Sequence, residues 1–146
     1  MGGLESHFSY LEAAVAEARA APLSLRKARL AIALFDAYVD RLYAADPGRA
    51  EDILAFRAEW AAASPPLALL LAIAEARPGA PDLRLETSPL APSDYPHLSE
   101  AEFMVSLYNE ATVPRLLITA PGGTSHDVHD VLHDALEAIH PRPRQA

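Results

Sequence analysis

The sequence contains no cysteine, which excludes disulfides, thiolate metal ligands and cysteine nucleophiles. Lysine is almost absent too, since Lys27 stands alone against 11 arginines. With abundant alanine and proline, this bias is typical of a bacterial genome of high GC content. A chain of 146 residues without cross-links must be held by its core, and this length suffices for one compact domain.

Positive charge is also scarce. The chain has 12 basic and 20 acidic side chains, a formal net charge of −8, and residues 79–146 hold −6 of it. A surface of this sign repels phosphate backbones and anionic lipid headgroups. We therefore expect neither nucleic acid nor membranes as partners.

A long hydrophobic run is missing as well. The longest apolar run, residues 66–74, is about half of what a membrane span requires. The first ten residues show neither the basic nor the apolar region of a secretory signal. Hydrophobic residues make up 51% and charged residues 22%, a globular composition. We expect a soluble, acidic, cytoplasmic protein.

The first half of the chain has helical periodicity. Apolar residues recur at steps of three and four over residues 4–18 and again over residues 25–42, which predicts two amphipathic helices. Ser24 is expected to cap the second. A third helix is predicted from about Arg49 to Ala63.

The motif SPP at residues 64–66 ends the third helix and starts a fourth over residues 67–76, because proline is tolerated in a first helical turn. Four helices with short links favour an antiparallel bundle.

Proline-rich sequence then changes the character of the chain. Residues 78–96 predict an extended connector around a short strand over residues 83–87. The run RLLIT at 115–119 predicts another strand.

Residues 99–111 fit two structures. Ser99 and Glu102 would form a capping box at the start of a helix. Residues 103–108 also alternate as a strand, and the turn NEAT would then join them to residues 113–120 in a β-hairpin. We favour the hairpin, because the strand at 115–119 needs a neighbour.

These elements predict an α+β fold that is predominantly helical. A bundle of four helices over residues 1–78 is followed by a small β-hairpin or sheet and a C-terminal amphipathic helix over residues 79–146. We expect both parts to pack as one compact unit.

The C-terminal helix carries an unusual run, TSHDVHDVLHDALEAIH, at residues 124–140. Thr124 with Asp127 is expected to cap it. At 100° per residue, the apolar side chains form one core face. Beside that face lie a stripe of histidines (126, 129, 133 and 140) and then a stripe of acids (127, 130, 134 and 137).

The histidine stripe has the spacing of a metal site. His129 and His133 lie one turn apart, so that two imidazoles can bind one ion such as zinc. A third ligand would have to come from His97, His126, Asp36 or Asp40. The glutamate of HExxH is absent, which excludes that type of metalloprotease.

Two other interpretations compete with metal binding. Histidine suits the boundary between core and water, and this is the interpretation we favour. Four imidazoles beside four carboxylates also suit a pH-responsive surface or interface.

No catalytic constellation emerges from the remaining residues. The nucleophile motif GxSxG is absent, and the PGG turn at 121–123 lacks the pattern of a phosphate-binding loop. Tyr95 and His97, in a proline-braced loop, would line a small-ligand pocket between bundle and sheet. We expect a non-enzymatic protein that works through protein–protein contact, as a homo-oligomer. A metal-binding protein and a small-ligand-binding domain are the alternatives.

Overall fold

The computed structural model describes residues 3–46, 48, 50–89, 112–120 and 122–140. These residues form five helices and a three-stranded antiparallel sheet, which confirms the predominantly helical α+β fold. The helices are α1 (Leu4–Ala20), α2 (Leu25–Ala45), α3 (Ile53–Ala63), α4 (Pro65–Glu75) and α5 (Val128–Ile139). The strands are β1 (Asp82–Pro89), β2 (Thr112–Thr119) and β3 (Ser125–Asp127).

Side-chain caps fix where α2, α3 and α4 begin. The hydroxyl of Ser24 accepts a hydrogen bond from the Lys27 amide at 3.2 Å, as predicted, and Ser64 caps α4 in the same way. The predicted start of α3 at Arg49 was wrong. The carboxylate of Asp52 accepts from the Ala55 amide at 2.8 Å, so the cap sets the first turn at Ile53.

The core is continuous from the first helix to the last. Phe8 of α1 packs on Tyr38 of α2 with ring centroids 5.7 Å apart, and on His140 after α5 at 4.8 Å. The largest fully buried side chains come from both helices and sheet, and they are Phe35, Leu11, Leu67, Leu70, Leu116, Ile118, Leu132, Val39 and Val128. No helix of the described residues is long and apolar enough to cross a membrane.

The sheet has the order β1-β2-β3. Both predicted strands are present, and β1 pairs with β2 along its whole length, so that buried Leu83 lies opposite buried Ile118. The neighbour that β2 requires is therefore β1. The proposed strand over 103–108, and the choice between helix and strand for 99–111, lie outside the described residues.

The start of the C-terminal helix differs from the prediction. Residues 125–127 were expected in its first turn, but they form β3, which pairs with residues 117–119. Gly122 and Gly123 adopt positive φ angles of 101° and 91°, conformations that suit glycine and reverse the chain. Asp127, and not Thr124, is the cap of α5, and its carboxylate accepts from the His129 amide at 2.8 Å.

Candidate functional site

The core side of α5 is the one that the sequence predicts. Five of its side chains are buried, and they are Val128, Val131, Leu132, Ala135 and Ile139. His133, Asp130 and Asp134 are exposed, while His129 is half-buried. The polar side of this helix therefore carries the side chains that could bind a ligand or a metal ion.

His129 joins two distant parts of the chain. Its Nε2 lies 2.9 Å from the backbone oxygen of Pro22, in the connector between α1 and α2. A carbonyl only accepts hydrogen bonds, so Nε2 must carry the hydrogen. Nδ1 is buried without a hydrogen-bond partner among the described residues. The ring thus fastens the start of α5 to the bundle.

The other predicted metal ligands have different surroundings. The Nε2 of His133 lies 3.2 Å from the carboxylate of Glu137, one turn further along α5. His126 is exposed and sits in β3, where its backbone pairs with Ile118. His126 is therefore not on the helix that carries His129 and His133, contrary to the predicted stripe. His97 lies outside the described residues.

Asp36 and Asp40 are held by an arginine that the sequence did not reveal as their partner. Arg57 of α3 donates to Asp40 at 2.9 Å and to Asp36, and its Nη2 lies 3.8 Å from Glu75 of α4. The Arg57 side chain is only 13% exposed. These two aspartates, named above as possible third metal ligands, belong to a salt-bridge network between three helices.

The charge of Arg57 is secured by this network. Burial alone would lower its pKa, but the hydrogen bonds and the attraction of Asp36 and Asp40 outweigh burial and raise the pKa above its ordinary value. The guanidinium remains charged, and both carboxylates are engaged in binding it.

Across the described parts of the chain, no three His, Asp or Glu side chains lie close enough together to hold a metal ion. A site that uses His129 and His133 therefore lacks a third ligand among these residues. Metal binding remains a prediction.

A groove of about 690 Å³ lies between the bundle and the start of the sheet. Three arginines line it: Arg29, Arg77 and Arg84. Arg77 pairs with Glu75 at 3.3 Å and Arg84 with Asp82 at 3.0 Å, so much of this charge is already neutralised. Tyr95 and His97, which were predicted to line a pocket in this part of the fold, lie outside the described residues.

A second groove, of about 740 Å³, runs between α4 and α5, and we call it the acidic groove. Apolar side chains of the bundle form one side, and β3 with the polar side of α5 forms the other. It is lined by Ala61, Pro65, Pro66, Ala68, Leu69, Ser125, His126, Asp127, Asp130, Val131 and Asp134.

The charge of the acidic groove comes from three aspartates on one wall. Asp127 is half-buried and engaged in capping α5, while Asp130 and Asp134 are exposed. Asp130 and Asp134 form no ion pair with any described residue. The groove thus combines an apolar floor with uncompensated negative charge. The acidic stripe was visible in the sequence. The apolar floor was not, because most of it is formed by residues some 60 positions earlier in the chain.

A surface of opposite character lies at the start of α2, and we call it the basic face. It consists of Leu23, Arg26, Lys27 and Leu30, all exposed, with Leu30 51% exposed. Arg26 and Lys27 form no ion pair with any described residue. The basic face therefore places two exposed leucines beside two positive charges that no described residue neutralises.

The chain matches no protein-family model, no curated protein and no solved structure.

Proposed function

We propose that this protein is a non-catalytic binding protein, which acts by holding another polypeptide surface in the acidic groove. The observation that carries the proposal is the groove itself, where the apolar floor around Leu69 and Val131 adjoins the aspartates at 130 and 134.

The proposed occupant follows from this chemistry. Apolar floors gain free energy by burying apolar side chains, at roughly 25 cal/mol per Å². Unpaired carboxylates on the wall favour cationic side chains and repel anionic ones. A polypeptide surface that combines leucine-like side chains with lysine or arginine meets both requirements.

A peptide titration tests this function. The probe is a dye-labelled amphipathic peptide of leucine and lysine, compared with its leucine and glutamate counterpart by fluorescence anisotropy. We expect the basic peptide to bind the wild type at least tenfold more tightly than it binds Asp130→Lys/Asp134→Lys, and the acidic peptide to show no binding.

The matched control carries the same change of net charge elsewhere. Glu12 and Glu17 are exposed on α1, so Glu12→Lys/Glu17→Lys should retain the affinity of the wild type. If both double variants lost affinity equally, the peptide would be responding to net charge and the groove would not be its site. Absence of binding to the wild type, at protein concentrations where the wild type is monomeric, would also contradict the proposal.

A further inference from the structure

We infer that the occupant of the acidic groove is a second copy of this chain, which inserts its basic face and receives the groove of its partner in return. This inference rests on the proposed function and names the partner. The protein would then be a dimer closed by two equivalent contacts.

Charge complementarity selects this occupant. Arg26 and Lys27, with Arg29 beyond them, form the densest basic cluster of a chain that has only 12 basic residues. Leu30 lies one turn from both basic residues on α2, four positions after Arg26 and three after Lys27, so the three side chains share one side of the helix. Leucine with arginine and lysine is the combination that the acidic groove requires.

Pairing satisfies groups that have no partner within one chain. Arg26 and Lys27 on one side, and Asp130 and Asp134 on the other, form no ion pairs with described residues. Leu30 would cover the apolar floor, which removes two exposed apolar surfaces from water at once. Each contact therefore gains from both hydrophobic burial and opposite charge.

The two surfaces are neighbours on the molecule. Pro22 accepts a hydrogen bond from His129, so the connector that leads into the basic face lies beside the start of α5. The groove wall begins at Asp127, which caps that same helix. When two complementary surfaces adjoin, a two-fold rotation can place each against the other in a partner, and such an interface closes without forming chains.

Sedimentation velocity with reciprocal charge reversal tests the inference. At low salt we expect the average mass of the wild-type protein to rise with concentration, from 15.7 kDa towards twice that value. Asp130→Lys/Asp134→Lys and Arg26→Glu/Lys27→Glu should each stay monomeric, with association weakened at least tenfold. Glu12→Lys/Glu17→Lys is the matched control and should dimerise like the wild type.

Mixing the two monomeric variants is the decisive step. In the mixed pair, lysines in one groove meet glutamates on the partner's face, and the second contact retains its natural charges. We therefore expect a dimer to form on mixing, and the variant that combines all four substitutions to dimerise with itself. Circular dichroism of each variant serves as the control that it is folded.

Several results would overturn the inference. Wild-type protein that stays monomeric, a dimer insensitive to both reversals, or folded variants that do not associate on mixing would each rule out this contact. If the leucine and lysine peptide still bound the groove in a monomeric protein, the proposed function would stand and only the choice of partner would fail. If neither peptide nor second copy bound, both would fail.

Discussion

At the scale of single residues, His129 is engaged in a structural contact. Its Nε2 donates to the Pro22 carbonyl across 107 positions of sequence, and the rest of its ring is half-buried. His133, one turn further, is exposed beside Glu137. Two histidines with the same helical spacing as a metal site therefore differ in burial and in partner.

Replacing His129 by alanine should lower the free energy of unfolding by about 1 kcal/mol, because the Pro22 carbonyl loses its donor. His133→Ala is the matched control and should change stability by less than about 0.5 kcal/mol, since its partner is a surface carboxylate. Urea denaturation measures both. If the two histidines held a metal together, both variants would lose stability alike and EDTA would reproduce the loss in the wild type.

Burial of Tyr38 makes the stability of the folded protein depend on pH in the alkaline range. It is 2% exposed, and burial raises the pKa of its phenol above the ordinary value of 10.0. The unfolded chain therefore loses this proton at lower pH than the folded protein does. The stabilisation is fully present below about pH 10 and is lost as the pH rises through the folded-state pKa.

Tyr38→Phe should consequently lose less stability than the wild type when urea unfolding at about pH 11 is compared with unfolding at about pH 8. Tyr10→Phe removes an exposed phenol instead and should follow the wild-type curve. Equal alkaline losses in all three proteins would show that Tyr38 does not carry the effect.

At the scale of elements, Arg57 connects three helices. It binds Asp36 and Asp40 of α2 from α3 and lies 3.8 Å from Glu75 of α4. The acids are a third to a half exposed, so water screens much of the attraction. Without the guanidinium, three carboxylates would face one another around an empty position.

Arg57→Met should therefore cost about 1 to 2 kcal/mol of stability in urea denaturation, even though the new side chain preserves much of the packing. Arg84→Met breaks an exposed pair with Asp82 and should cost less than about 0.5 kcal/mol. A loss at Arg57 no larger than that at Arg84 would contradict the role of the network.

Some elements could be predicted because their signals are local. The apolar steps of α1 and α2 and the cap at Ser24 depend on neighbouring residues only. Other features depend on distant ones: β3 exists because the turn at 122–123 returns the chain to β2. The partner of Asp36 stands 21 positions away, and the apolar wall of the acidic groove belongs to another helix, so no local pattern reveals either.

At the scale of the whole molecule, the core ties the C-terminal helix to the bundle. Leu132 is fully buried in the same core as Leu11 and Leu67. The single tryptophan, Trp60, lies in α3 and reports on the bundle. We propose that residues 1–78 and 79–146 unfold as one unit.

Leu132→Ala should lower stability by about 2 to 5 kcal/mol, because it removes a buried side chain and leaves a cavity. If the molecule is one cooperative unit, Trp60 fluorescence and far-ultraviolet circular dichroism will shift together to lower urea concentration. Glu137→Ala, an exposed change on the same helix, should leave both transitions in place. A tryptophan transition that does not respond to Leu132→Ala would mean that the bundle folds independently.

The contact of Phe8 with His140, whose ring centroids lie 4.8 Å apart, has a consequence for how the chain folds while it is being synthesised. A residue of α1 packs against a residue that is synthesised only after α5. Until α5 leaves the exit tunnel, the apolar sides of α1 and α4 lack the helix that covers them. Nascent chains halted before α5 will therefore expose these surfaces and depend on chaperones to stay unaggregated.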